Sequence, residues 1–134
     1  ITKSILQSML QGIGYMYQKH TLNPPALTRK EEIRKQFVGL VMQHYTRERS
    51  ISFYAEQLNI TPQHLCTTIK QITGFTASDI IARMVILDAK AQLKSTELTI
   101  QEISYSLNFP NVSFFGKYFK RHVGMSPQAY RNSQ

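Results

Sequence analysis

Slid along itself, the chain repeats its own apolar pattern. Ile51, Tyr54, Leu58, Asn59 and Ile60 align with Ile100, Ile103, Leu107, Asn108 and Phe109 at an offset of 49 positions. Further on, Leu65, Ile69, Lys70 and Gly74 align with Phe115, Phe119, Lys120 and Gly124 at an offset of 50, so the second copy holds one extra residue between its halves. In each copy the apolar spacing is helical on both sides of a short turn, and the closing glycine suits the left-handed residue that ends a helix. Each copy therefore reads as a helix-turn-helix unit, over about 51–74 and about 100–124.

Alternation of period two over strand length is hard to find, so the expected fold class is all-α. It comprises two helix-turn-helix subdomains joined by a long connecting helix and preceded by an N-terminal amphipathic helix. The connector is Thr76 to about Ser95, opened by Thr76 and Asp79 at cap spacing and carrying Ile80, Ile81, Met84, Leu87 and Leu93. Such a helix is about 30 Å long, close to the ~34 Å that separate successive major-groove faces on one side of B-DNA. Before the first unit, Thr28 and Glu31 form a capping-box pattern, and Ile33, Phe37, Leu40, Val41 and Tyr45 predict a helix to about Arg47. Residues 23–30, with Pro24 and Pro25, read as a linker. Residues 1–22 read as a separate helix with Ile5, Met9, Ile13 and Met16 on one stripe. That stripe either packs on the domain or ends an upstream regulatory and dimerisation domain, the second reading being favoured by the proline break.

With 134 residues the chain has the size of one domain, and 16 Lys and Arg against 8 Asp and Glu give a formal charge of +8. That balance favours an anionic partner such as nucleic acid or an anionic membrane surface. Cys66 is the single cysteine and cannot form an internal disulfide, which makes a reducing cytoplasm the expected compartment. No apolar run approaches the ~18 residues of a membrane span, so no membrane partner is expected. The opening residues carry no basic region or cleavage site of a signal peptide.

Periodicity also sorts the second helix of each unit into faces. In the first, Leu65, Ile69 and Ile72 point inward, while Gln63, Thr67, Lys70 and Gln71 point out, flanked by His64 and Cys66. In the second, Phe115, Phe119 and His122 point inward, and Ser113, Lys117, Lys120 and Arg121 point out, flanked by Phe114 and Gly116. Thr61 and Asn111, at the helix starts, complete the set of flank or phosphate candidates. Gln can read adenine through two hydrogen bonds, Thr can touch a thymine methyl, and Lys finds phosphate or guanine. From Ile103 onward there is no acidic residue but four basic ones, Lys117, Lys120, Arg121 and Arg131. Such a stretch supplies affinity by releasing counterions from DNA.

No constellation for catalysis is present. His64 and Cys66, two apart on a helix, point about 200° apart, so they make neither a nucleophile and base nor a pair of metal ligands. Gly12-Ile13-Gly14 lacks the rest of a dinucleotide site. The expectation is a non-enzyme with no metal and no cofactor. The competing reading is a helical protein-interaction domain built on the same fold.

The segments Ile100-Gln101-Glu102-Ile103-Ser104, Leu107-Asn108-Phe109, Ser113 to Arg121, Gly124-Met125-Ser126-Pro127 and Tyr130-Arg131 together resemble the signature of the AraC/XylS family. The first unit is similar to that family at Ser52 to Ala55, Leu58 to Pro62, Leu65 and Gly74, and the connector at Arg83, Ala89 and Leu93. The resemblance implies a seven-helix double-stranded DNA-binding domain over 31–134, whose third and sixth helices enter major grooves. It also implies a bacterial transcription regulator, usually an activator that contacts RNA polymerase, with dimerisation and effector binding in an upstream domain. By position it assigns base contacts to Gln63, Cys66 and Thr67 in one helix and Ser113, Gly116 and Lys117 in the other. Departures are Asn108 in place of glycine, Asn111 in place of Asp and Ser104 in place of Ala. Val85 and Leu87 also stand at usually polar positions, which leaves open an apolar contact with another domain or subunit.

Overall fold

A computed structural model describes residues 27–134. The expected 1–22 helix and the first half of the expected 23–30 linker lie outside the described residues. Among those described there are seven helices and no strand: α1 (Arg29–His44), α2 (Ile51–Gln57), α3 (Pro62–Thr73), α4 (Ala77–Ser95), α5 (Ile100–Ser106), α6 (Val112–Val123) and α7 (Pro127–Asn132). No helix among them is long and apolar enough to cross a membrane.

Capping side chains fix where the helices start. The Thr28 hydroxyl accepts from the Glu31 amide while the Glu31 carboxylate reaches back to the Thr28 amide, the capping box expected from sequence. Thr76 opens α4 by accepting from the Asp79 amide, and Thr99 with Glu102 forms a second capping box at α5. The expected end of α1 near Arg47 is too late. The helix stops at His44 and the chain turns through 45–47, which frees the following residues to reach the second unit.

The two turns differ as the repeat requires: residues 58–61 separate α2 from α3, and 107–111 separate α5 from α6. Each turn places an asparagine in the left-handed region, Asn59 at φ 56° and Asn108 at φ 61°. Asparagine tolerates that region because its short side chain bonds locally. Gly74 (φ 80°) and Gly124 (φ 92°) end α3 and α6 as left-handed caps.

The buried side chains form one continuous core with α4 at its centre. α1, α2 and α3 pack together, α4 lies against α1 and α3, and its other contacts are with α5, α6 and α7. Being covered from two sides, α4 buries a wide arc: Ala77, Ile81, Ala82, Val85, Ile86, Ala89 and Leu93. Two sequence expectations are corrected here. Val85 is fully buried and so is spent inside this domain, while Leu87, placed in the core stripe, is 38% exposed.

Polar side chains at the margin of the core are hydrogen-bonded to one another. The Tyr45 hydroxyl donates to Asp88 Oδ2 at 2.7 Å, Gln92 Nε2 donates to Asp88 Oδ1 at 2.9 Å, and Ser106 Oγ donates to Gln92 Oε1 at 3.1 Å. This chain of bonds runs from α1 across α4 to the end of α5. Ser104, where alanine is usual, is wholly buried with its hydroxyl donating to the Gln101 carbonyl at 2.7 Å. The hydroxyl thus costs the core no unmet hydrogen bond.

Candidate nucleic-acid interface

α3 begins with Thr61 as its cap, the hydroxyl accepting from the His64 amide at 3.1 Å, and with Pro62 in the first turn, where a missing amide donor costs nothing. Leu65 and Ile69 are fully buried and Thr68 nearly so. This anchors the helix by one face and leaves Thr61, Gln63, His64, Cys66, Thr67, Lys70 and Gln71 exposed.

Besides the capping Thr61, two of these already have protein partners. Lys70 Nζ donates to the Gly74 carbonyl at 2.9 Å, closing the end of its own helix, and Gln71 Oε1 accepts from Lys30 Nζ at 2.9 Å. Lys30 thereby joins this surface from α1. Nothing in the sequence pairs residues so far apart.

α6 is capped by Asn111, whose Oδ1 accepts from the Phe114 amide at 2.7 Å, so the substitution of asparagine for aspartate keeps the cap. Phe115 and Phe119 are fully buried, and Phe115 stacks against Phe109 at 5.1 Å. Ser113, Lys117, Lys120 and Arg121 are exposed, as is Phe114 at 52%, its ring 6.1 Å from that of Phe109. Among the described residues no carboxylate lies within ion-pair distance of Lys117, Lys120 or Arg121, the one salt bridge being Arg29 to Glu32. Gly116 is half-buried, and a Cβ added there would meet nothing within 4 Å. The protein's own packing therefore does not demand glycine at this position.

Two residues of this region are placed differently from expectation. His122 continues the Phe115–Phe119 stripe and is expected to point inward, yet it is exposed, with its ring 4.7 Å from that of Tyr118. The core ends one turn before the helix does. Its outer neighbours are Phe75, Arg83 and Leu87, across an open groove along α4. Arg131, counted with the basic stretch, donates from Nε to the Leu93 carbonyl at 2.9 Å and so serves the end of α4. The cations left on the α6 surface are Lys117, Lys120 and Arg121.

Arg49 belongs to none of the sequence motifs. Its guanidinium donates to the carbonyls of Leu107 (2.7 Å) and Asn108 (2.8 Å) and lies 4.0 Å from the centre of the Phe109 ring. Asn108 Nδ2 returns a bond to the Arg47 carbonyl at 3.1 Å. The loop after α1 thus grips the turn that leads into α6.

Comparison with known proteins agrees with this arrangement. A family described as a helix-turn-helix domain matches residues 54–133. The melibiose operon regulatory protein of Escherichia coli (strain K12) is 25% identical over 144 residues, covering 96% of this chain and 48% of that protein. The HTH-type transcriptional activator AarP of Providencia stuartii is 31% identical over 88 residues, covering 66% of this chain and 65% of that protein. Among solved structures, the C-terminal domain of AraT, a response regulator from Geobacillus stearothermophilus, superposes with a TM-score of 0.72 at 28% identity, over 80% of this chain and 89% of that one. The DNA-binding domain of AdpA, crystallised with a target DNA, shares the fold at a TM-score of 0.65 and 18% identity, over 74% of this chain and 88% of that one. The chain spans about half the length of the first curated relatives it matches. With the family match running from α2 to the end of α7, and regulators of that kind along nearly its whole length, this chain belongs to the AraC/XylS family of helix-turn-helix DNA-binding transcription regulators.

Proposed function

We propose that the chain reads duplex DNA with two unequal helices, α3 and α6, seated in adjacent major grooves, and that it acts by binding rather than catalysis. The observation that carries this reading is the α6 surface. Three cations stand exposed on a helix that is anchored through buried Phe115 and Phe119. α4, with 19 residues, is about 28 Å long, near the spacing of neighbouring grooves on one side of B-DNA. The AdpA complex supports the reading by showing this fold with a target DNA.

In this account Gln63, Cys66, Thr67, Ser113, Gly116 and Lys117 approach base edges. Thr61, His64, Gln71, Asn111, Phe114, Lys120 and Arg121 lie at the flanks or on phosphates, and Lys70 contributes less because it caps α3. α6 supplies attraction, and the neutral α3 supplies discrimination. The role is activation of transcription in the cytoplasm through contact with RNA polymerase, a reading supported by relatives named as transcriptional activators. Residues 31–134 form the DNA-binding domain, and residues 1–22 belong with an upstream regulatory part through which the protein pairs with a second copy. The greater length of the relatives favours that division.

Titration of fluorescent duplexes at two salt concentrations tests the proposal. Affinity is expected to fall steeply with salt, with a slope of about two to three for the exposed cations of α6. No binding at low salt would overturn it.

A further inference from the structure

The connector alone does not determine how α6 sits relative to α3. Beyond the end of α5, the carbonyls of Leu107 and Asn108 have left the helical ladder and need donors from elsewhere. Arg49 supplies both, at 2.7 and 2.8 Å, from the loop that leads into the other helix-turn-helix unit. Its planar fork stacks on the Phe109 ring at 4.0 Å, and Phe109 in turn packs on Phe115 and Tyr118 of α6. Asn108 completes the grip by donating to the Arg47 carbonyl. Burial pulls the guanidinium pKa below its ordinary value, which marks a cation drawn partly out of water into a specific seat. Two residues after Phe109, Asn111 caps α6 and sets its direction.

We infer that Arg49 is a positioning residue for DNA recognition: by tying the loop before α2 to the turn before α6, it fixes the offset between the two reading helices and so the spacing between the two DNA boxes that one chain accepts. Arg49 itself touches no DNA in this scheme. A lysine replaces it poorly, because a compact ammonium has neither the two separate nitrogens that reach the Leu107 and Asn108 carbonyls nor a plane to stack on the Phe109 ring. The inference rests on the reading of α3 and α6 as a pair in adjacent grooves.

The test uses the full chain and a duplex recovered by selection from a random pool, remade with the segment between its two boxes shortened or lengthened by one base pair. Wild type should bind the original spacing much better than either altered one. Arg49→Ala should lose roughly tenfold of that preference, the scale of two charge-assisted bonds, and Arg49→Lys should fail to restore it. A purely structural defect would lower the Tm and weaken all three duplexes by the same factor, leaving the ratio intact, and that result overturns the inference. Asn108→Gly, which keeps the left-handed turn and removes only the bond to Arg47, should shift the ratio in the same direction by less. It provides the same decision where Arg49→Ala does not fold. Failure of wild type to bind any duplex would instead refute the DNA-reading proposal itself.

Discussion

Asn59 and Asn108 occupy matching places in the two turns and hold nearly the same left-handed backbone, at φ 56° and 61°. Only Asn108 also spends its side chain on a distant partner, the Arg47 carbonyl. The pair therefore separates backbone preference from tertiary bonding. Alanine should cost about 1 kcal/mol at 59, the scale of left-handed strain, and about 2 kcal/mol at 108, where the bond to the Arg47 carbonyl is lost as well. Glycine should be within a few tenths of a kcal/mol of wild type at 59 and about 1 kcal/mol destabilising at 108, where a hydrogen bond is lost. Urea denaturation of the four variants measures this, and equal effects of glycine at both sites would contradict it.

Gly116 should trade stability against binding. In a helix interior alanine is better than glycine by about 0.8–1 kcal/mol, and the added methyl has open space around it. Gly116→Ala should therefore raise the urea midpoint while weakening DNA affinity, because the methyl occupies room that the duplex needs. A variant that is stabilised and binds as well as wild type would remove Gly116 from the interface.

The exposed cations should divide by role. Lys120→Ala is expected to weaken all duplexes alike and lower the salt slope by about one. Lys117→Ala should relax preference at one base pair at a cost of about 1–3 kcal/mol there. Lys70→Ala should leave the salt slope nearly unchanged and lower stability, since its ammonium closes α3 at the Gly74 carbonyl. Binding titrations over a single-substitution duplex set distinguish the three, and an equal, sequence-independent loss for Lys117 and Lys120 would refute the assignment.

Alkaline pH should destabilise the fold through its buried tyrosines. Burial, with Glu48 nearby and Arg49 opposing, raises Tyr54 from 10.0 to about 12, and burial also raises Tyr45 and Tyr118. The unfolded chain thus releases these protons first. The stabilisation is complete below pH ~10 and is lost as pH rises through the folded value. Tyr54→Phe should flatten the fall in urea midpoint between about pH 10 and 12 relative to wild type. Parallel curves would contradict the attribution.

Much of this was legible in the sequence because the fold is local and repeated. Capping pairs such as Thr28 with Glu31, the left-handed Asn108, and the inward faces of α3 and α6 all follow from spacing within one helix or turn. The misreadings share a different cause. His122 keeps helical phase after the core has ended, and Val85 is buried because α4 is covered from two sides, which no single stripe reveals. Arg49 and Lys30 were invisible as participants, since their partners lie on elements that come together only in the folded chain. Local pattern finds α3 and α6 and misses the bonds that reach them from other elements.

If one chain reads two boxes with two unequal helices, selection of duplexes from a random pool by this chain should show it. The expected result is an asymmetric, bipartite motif whose halves are centred about ten base pairs apart, one helical turn. A single box, a palindrome of two equal halves, or no enrichment would contradict it.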